Sequence, residues 1–386
     1  MQFSLNASLG GSGFIADSIN HPLIRVFTVG QGSGMRVDHP LQQFLDIEQP
    51  WAVASPSSVG HGDFSYFSAL CYLFAREVQA SLGEPTMPMG MISDNWGGTC
   101  LSSWAPSDGR VATECAKCTG TSGCSNLYNA MIAPLTVGPL AIEGFLWSQG
   151  ECDADCNNTQ FYECAFPRFI EDWRGAFSAP EALFSFQVLP AYVNDSGRFN
   201  PYSLPYERAA QLEGLKASGG MVHATNTIDC GDALAPYGSV HPRDKLTVAK
   251  RMAAGALAMV YYNTTIPYLS PAYQSATLVD SNSVQIDFSP TPPASGLLSL
   301  RPAACPAGVG GLPASECSWF EIQTVDGLWH NATGVSLSPD SKSLLLSAND
   351  LGGQKMNATR GFFSPWPVVV LFSMEGLPVL PWWEAF

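Results

Sequence analysis

The sequence predicts an α/β protein with a mostly parallel β-sheet, followed by a smaller all-β domain. Between Leu23 and about Tyr261, short apolar or β-branched runs alternate with stretches of helical periodicity, which is the pattern of βαβ units. After Tyr262 the chain is rich in Pro, Ser and Thr, and its short apolar segments alternate in period two. A length of 386 residues fits two domains. We place these domains at residues 1–270 and 271–386.

The periodicity assigns the individual elements in chain order. We expect strands at 24–29, 89–93, 144–148, 184–189 and 221–228 in the first domain, and at 284–288 and 343–347 in the second. We expect helices from Phe67 to near Gly83, at 159–177 and at 245–261. The last helix opens after Pro242, and proline suits a first helical turn because it lacks the amide that would go unpaired there.

Charge and hydropathy exclude two classes of partner. The chain carries 18 Lys and Arg against 33 Asp and Glu, a net charge of -15, which disfavours approach to a polyanion such as nucleic acid. No apolar run reaches the roughly 18 residues of a membrane span, and residues 363–386 are interrupted by prolines and glutamates. We therefore predict neither a nucleic-acid partner nor a membrane span, and the sequence leaves the oligomeric state open.

Sequons and cysteines predict the secretory pathway, with an extracellular or lysosomal location. N-x-S/T sequons begin at Asn6, Asn157, Asn194, Asn263, Asn331 and Asn357. The 11 cysteines fit disulfides in an oxidising compartment, and we prefer disulfides to zinc or redox chemistry for Cys115 and Cys118. The first residues do not form a charged and then apolar leader, so we expect the chain to be a piece of a longer precursor.

Two loops that follow predicted strands present candidate oxyanion and substrate contacts. The carboxyl ends of parallel strands are where sites are built in such sheets. In the first loop, the backbone amide of Gly97 or Gly98 can approach a ligand closely, although an ordinary glycine turn is the alternative. In the second loop, the amide of Gln149 and the carboxylate of Glu151 can orient substrate, although a buried supporting cluster is the alternative.

A third loop presents a candidate general base. His241 stands immediately before a predicted helix, where it suits a base, and Asp232 or Asp229 can fix its tautomer. A surface histidine that caps the helix is the alternative. His223 lies inside a predicted strand and is expected in the core, while His61 is a weaker second candidate.

These loops, in this order, resemble the sialate O-acetylesterase family of SGNH-type serine hydrolases. The resemblance covers nearly the whole chain and is carried by short segments that are weak alone but strong in register. They are Asn20-His-Pro-Leu-Ile-Arg-Val-Phe, Phe67-Ser-Ala-Leu-Cys-Tyr-Leu-Phe, Trp96-Gly-Gly-Thr, Trp147-Ser-Gln-Gly-Glu, Ile170-Glu-Asp-Trp-Arg, Ser239-Val-His-Pro-Arg-Asp-Lys, Ser364-Pro-Trp-Pro and Leu377-Pro-Val-Leu-Pro.

The resemblance implies a three-layer α/β/α catalytic domain, β-rich flanking structure and hydrolysis of acetyl esters on sialic acids or related glycans, without a cofactor. It implies these roles: His241 as base, Asp232 (or Asp229) as its orienting carboxylate, Gly97 or Gly98 as oxyanion donor, and Gln149 and Glu151 lining the site. We expect no metal site, because the histidines are too scattered to form a zinc centre.

The chain departs from the family pattern in two places. The family's nucleophile lies in a Gly-Gln-Ser-Asn-Met block whose Met resembles Met1, so we expect the serine upstream and the chain as written nearly inactive. Ser33, in a Gly-Gln-Gly-Ser-Gly-Met segment, is the alternative nucleophile. Asp153 stands where the family often has Asn, and its negative charge would oppose an oxyanion unless protonated. A non-catalytic glycan-binding member or an acetylxylan-type esterase remain the alternative functions.

Overall fold

The computed structural model describes residues 2–32, 37–62, 64, 66–83, 87–115, 124–193, 201–289, 295–301, 319–349 and 351–386. Met1 and the alternative nucleophile Ser33 lie outside the described residues. The α-helices are α1 (Gly11–Asp17), α2 (Pro56–Val59), α3 (Ala69–Ser81), α4 (Arg110–Glu114), α5 (Glu151–Asp155), α6 (Thr159–Ala176), α7 (Leu204–Leu212) and α8 (Lys245–Met259). Within the described part of the chain, none of these helices is long and apolar enough to cross a membrane.

The parallel sheet predicted from the sequence is present as two three-stranded sheets. In the first, β1 (Ile24–Val29) lies between β2 (Ile47–Val53) and β3 (Met89–Ser93), antiparallel to β2 and parallel to β3. In the second, β4 (Gly144–Trp147), β5 (Leu183–Val188) and β6 (Val222–Asn226) are all parallel. The strands and helices expected from periodicity are therefore confirmed to within a few residues.

Helices cover both faces of the second sheet, which gives the three-layer α/β/α arrangement expected from the sequence. Consecutive residues of a strand point to opposite faces. Leu183 accordingly packs into the core beneath α3 and α8, whereas Phe184 packs against the aromatic side chains of α6. Strand β5 is buried along its whole length, as expected for a central strand covered on both sides.

Strand β2 and helix α7 are among the elements that were not predicted. Strand β2 contains Pro50 and Glu48 and is mostly exposed, so its sequence lacks an apolar alternation. It is tolerated as an edge strand, where a proline interrupts no internal ladder. Helix α7 is amphipathic but short, and its first turn contains Pro205.

After α8 the described residues form strands and no helix. The strands are β7 (Tyr273–Leu278), β8 (Ser283–Phe288), β9 (Leu298–Leu300), β10 (Phe320–Thr324), β11 (Trp329–Asn331), β12 (Gly334–Leu337), β13 (Ser343–Ser347), β14 (Met356–Gly361), β15 (Leu371–Ser373) and β16 (Trp382–Ala385). They form antiparallel sheets ordered β11-β10-β14-β16, β12-β13-β8-β7 and β15-β9. The aromatic rings of Phe288, Phe320, Phe362 and Trp382 pack together between them.

A fully buried arginine joins this β region to the α/β region. The guanidinium of Arg208, on α7, donates to the carbonyl oxygens of Leu189 and Pro190 at 2.8 and 3.0 Å. It also donates to the carbonyls of Ser364 and Pro365, at 2.7 and 3.0 Å. Burial lowers the pKa of Arg208 to about 9. The planar fork of the guanidinium thus fixes two chain segments that are distant in sequence.

Candidate active site

A cavity of about 800 Å³ is lined by strands of both three-stranded sheets. Strands β3 and β4 are edge strands of their two sheets, and both line the cavity. Among the described residues, no further strand pairs with the edge that either of them presents there. The loops after β3, β4 and β6 line the same cavity. The predicted site residues that line it are Gly97, Gly98, Gln149, Glu151 and His241.

The glycine loop after β3 presents a backbone amide to an oxygen atom. The amide of Gly97 donates a hydrogen bond of 2.6 Å to Oε1 of Gln2, and both residues line the cavity. Gly98 has a φ of 73°, in the left-handed region that favours glycine, and this turn orients the preceding amide. The loop therefore presents a backbone N–H donor to the cavity, which is the kind of group that oxyanion holes use.

The His241 ring is oriented by a backbone carbonyl. Its Nδ1 lies 2.8 Å from the carbonyl oxygen of Tyr237, which can only accept a hydrogen bond, so Nδ1 carries the proton. In the neutral ring Nε2 is then the basic nitrogen. Phe3 stacks on the ring with centroids 6.4 Å apart, and Phe64 meets it edge-on at 5.1 Å. Burial lowers the pKa of His241, which favours the neutral, basic form.

The prediction that His241 donates a hydrogen bond to Asp232 is wrong for the described residues, since Nδ1 of His241 donates to the carbonyl of Tyr237 instead. Both oxygens of Asp232 accept from the guanidinium of Arg243, at 2.6 and 3.0 Å, and they also accept from the amides of Leu234 and Arg243. A guanidinium fork matches a carboxylate geometrically, and this pairing holds Asp232 in the loop. Asp232 does not appear among the described residues that line the cavity.

The alternative, Asp229, is also engaged elsewhere. Its two oxygens accept from Arg251 at 2.6 and 2.8 Å. Glu151, which was expected only to line the site, acts on His241 through its charge, which raises the pKa of the ring against the larger, lowering effect of burial. Glu151 begins α5 directly after β4 and lines the cavity.

Gln149 holds the glycine loop in place. Its Nε2 donates to Oδ2 of Asp153 at 2.6 Å and to the carbonyl of Thr99 at 3.2 Å. Oδ2 of Asp153 also accepts from the amide of Leu101 at 2.9 Å. Asp153 is fully buried, and burial raises its pKa to about 6. Asp153, the residue that departs from the family pattern, therefore supports the glycine loop by accepting hydrogen bonds from Gln149 and from the amide of Leu101.

A disulfide ties the same loop to α5. Cys100, which ends the glycine loop, is bonded to Cys152, next to Glu151. A second disulfide joins Cys115 to Cys164 and confirms the disulfide interpretation for Cys115, while Cys118 lies outside the described residues. The sulfur of Cys156 lies within 4.8 Å of the sulfurs of the first disulfide, but bonded cysteines offer no thiolate to a metal.

Asp94 and Lys245 line the cavity and were not assigned a role from the sequence. The carboxylate oxygens of Asp94 are buried and have no hydrogen-bond partner among the described residues, and burial raises its pKa to about 8. Lys245 is the first residue of α8, and His241 lies in the loop that precedes this helix. Its place in the same segment as His241 was the signal for Lys245, whereas nothing in the sequence distinguishes Asp94.

The remaining histidine candidates lie elsewhere. His223 is buried in β6, as expected, and contacts Ser185 Oγ at 3.1 Å and the carbonyl of Tyr268 at 3.0 Å. Burial lowers its pKa to about 4. His61 is exposed and meets the ring of Tyr66 at 5.0 Å.

The chain is similar in sequence to a family of carbohydrate esterases. Residues 37–232 match the family model of carbohydrate esterases described as sialic acid-specific acetylesterases. The chain is 30% identical to human sialate O-acetylesterase over 298 residues, covering 72% of this chain and 55% of that protein. The mouse sialate O-acetylesterase is 29% identical over 333 residues, covering 73% and 58%. This protein belongs to the sialic acid-specific acetylesterase family.

A solved structure shows the same fold. The crystal structure of a carbohydrate acetylesterase from Xanthomonas citri matches with a TM-score of 0.79 at 23% identity, covering 100% of this chain and 78% of that one. The chain spans little more than half the length of the curated relatives, 55% of the human protein and 58% of the mouse protein.

Proposed function

We propose that this protein hydrolyses O-acetyl esters on sialic acids or related glycans. The observation that carries the proposal is the hydrogen bond from the Gly97 amide to the Gln2 side-chain oxygen, in a cavity that His241 also lines. An amide that donates to a carbonyl-type oxygen there can donate to an ester oxygen in the same position. Membership of the family supports the substrate class.

The reaction would proceed in two steps through an acetyl-enzyme. A serine hydroxyl attacks the ester carbonyl while Nε2 of His241 takes its proton, and the amide of Gly97 or Gly98 stabilises the oxyanion. The imidazolium then gives that proton to the departing sugar oxygen. Water, deprotonated by His241, then attacks the acetyl-serine, the imidazolium returns the proton to the departing serine oxygen, and acetate is released. The carbonyl of Tyr237 keeps Nδ1 protonated throughout.

Two serines are candidates for the nucleophile that the proposed mechanism requires. One is a serine preceding Met1 in a longer chain, and the other is Ser33. The cavity favours the upstream candidate, because Gln2 and Phe3 already line it and so place the start of the described chain beside Gly97 and His241.

The test compares this chain with one extended through the residues that precede it in its gene, using an aryl acetate and an O-acetylated sialic acid. We expect the extended protein to be active and the shorter one slower by on the order of a million-fold. His241→Ala in the extended protein should lose most of the activity. Equal rates from the two chains would place the nucleophile inside this sequence, and Ser33→Ala would identify it.

Full activity in His241→Ala would contradict the proposal. Binding of acetylated sugar without hydrolysis by the extended protein would instead support the non-catalytic, glycan-binding alternative. Acetylated xylan, tested in parallel, separates the acetylxylan-type esterase from the sialate esterase.

We also propose a secretory, extracellular or lysosomal location with N-glycosylation. The two disulfides support it, because such bonds persist in oxidising compartments. Asn6, Asn157 and Asn331 are exposed, so their side chains are accessible to glycosylation. A mass loss on enzymatic deglycosylation, mapped to these three sites, tests the proposal.

A further inference from the structure

We infer that Lys245 binds the carboxylate of an anionic sugar, so that the cavity selects acetylated sugars that carry a carboxyl group. The inference deepens the proposed function and rests on it. It assigns to Lys245 a role in substrate selection, separate from the chemistry at His241.

Lys245 lies beside the base. Its Nζ lies 4.8 Å from the centroid of the Phe3 ring, and the same ring stacks on His241 with centroids 6.4 Å apart. Both Lys245 and His241 line the cavity. A sugar whose acetyl ester is held at His241 therefore has its other substituents within reach of the ammonium.

The cavity is otherwise acidic. Among the described residues that line it, Lys245 is the only lysine or arginine, while the acids are Asp94, Glu143, Glu151 and Asp155. The whole chain carries a net charge of -15. An anionic ligand is repelled by this field unless its charge meets a local cation, and Lys245 is the cation that the lining supplies.

The ammonium of Lys245 makes no ion pair with the described residues. Within the described part of the chain, no carboxylate lies within 4.0 Å of Lys245 Nζ to form an ion pair. Two of the acids that act on it are committed elsewhere, Asp232 to Arg243 and Asp244 to Thr247. Glu151 remains, and its charge acts on His241 as well.

The charge of Lys245 persists at neutral pH. Burial lowers its pKa to about 8, while the nearby Glu151 opposes that effect. An ammonium partly stripped of water interacts more strongly with a carboxylate than a solvated surface lysine does, because the local dielectric constant is lower. The site thus combines charge with incomplete hydration, which favours an anionic ligand over water.

The experiment measures binding, so that it does not depend on turnover. The methyl glycoside of N-acetylneuraminic acid and the methyl ester of that glycoside are titrated into the full chain by calorimetry or ligand-observed NMR. The two ligands differ only in the negative charge. We expect the acid to bind about tenfold or more tightly than the ester, as for a hydrogen bond to a charged group.

Lys245→Met should abolish this preference while keeping the apolar stem on Phe3. The matched control is Lys250→Met, which removes the same charge from an exposed position on the same helix and should keep the preference. Lys245→Arg should keep part of it. Circular dichroism checks that each variant is folded. Equal binding of acid and ester by the unmodified protein, or a preference that survives Lys245→Met, overturns the inference.

Hydrolysis of a neutral aryl acetate by the extended protein separates the two proposals. Hydrolysis without a preference for the acid overturns the role of Lys245 and leaves the esterase function standing. A preference for the acid without any hydrolysis supports the role of Lys245 and overturns the esterase function. Failure to bind either ligand overturns the role of Lys245.

Discussion

The ring of His241 and the backbone carbonyl of Tyr237 are joined by a hydrogen bond of 2.8 Å, so the tautomer of the base is set without a carboxylate. A backbone carbonyl cannot be protonated in the working pH range and cannot be removed by a side-chain substitution. Nearby carboxylates such as Glu151 therefore affect His241 through their charge, which changes the pKa of the ring, and not by fixing its tautomer.

The first prediction concerns these carboxylates in the active, extended protein. The charge of Glu151 raises the pKa of His241, and Glu151→Gln removes it, so the pKa of the base should fall. Because the base must be neutral, the acidic limb of the profile of kcat/KM against pH should move to lower pH. Asp232→Asn serves as the control, since Asp232 is paired with Arg243, and should leave that limb in place. A shift in Asp232→Asn alone would return the orienting role to Asp232.

The second prediction compares the two disulfides, which close loops of similar length with sequence separations of 52 and 49. Removing either pair by Cys→Ser substitution should cost about 2–5 kcal/mol in the free energy of unfolding. Only the Cys100–Cys152 pair ties the glycine loop to Glu151, so only its loss should also weaken sugar binding. Urea unfolding and calorimetric titration measure the two effects. Equal loss of binding from both variants would show that the bond near the cavity has no local role.

The third prediction concerns the buried Asp94, whose pKa is raised to about 8 from an ordinary value near 3.8. The folded state then holds the proton more tightly than the unfolded state, so this residue lowers stability as pH rises from about 4 to about 8. Asp94→Asn should flatten that decline, most clearly above pH 6, where Asp153 has already ionised. Urea unfolding at several pH values measures it, and an unchanged slope would show that Asp94 ionises normally.

The fourth prediction concerns Arg208. Replacing it with Met leaves buried carbonyls unpaired on both sides of the junction and should destabilise the protein by about 3 kcal/mol or more. Arg208→Lys keeps the charge but not the planar set of donors, and should recover only part of the loss. Thermal unfolding and limited proteolysis measure the effect. Stability equal to that of the unmodified protein would mean that water replaces the guanidinium at the junction.

Periodicity predicted the parts of the fold that local chemistry determines. The strands at 24–29 and 89–93 and the helix beginning at Lys245 lie where the pattern places them, because buried strands and amphipathic helices impose their periods on the sequence. The exposed edge strand β2 was missed for the converse reason, since an edge strand needs no apolar pattern.

The sequence by itself determined that glycine, amide, carboxylate and histidine loops follow parallel strands, and hence that Gly97, Gln149, Glu151 and His241 line one cavity. Only the tertiary structure decided which groups pair. In the folded chain Asp232 is paired with Arg243, and the ring of His241 donates to a backbone carbonyl. Lys245 lies beside the base and has no ion-pair partner among the described residues. Sequence order places such groups directly after strands, but the choice of hydrogen-bond partners depends on distances and angles that the packing of the whole chain sets.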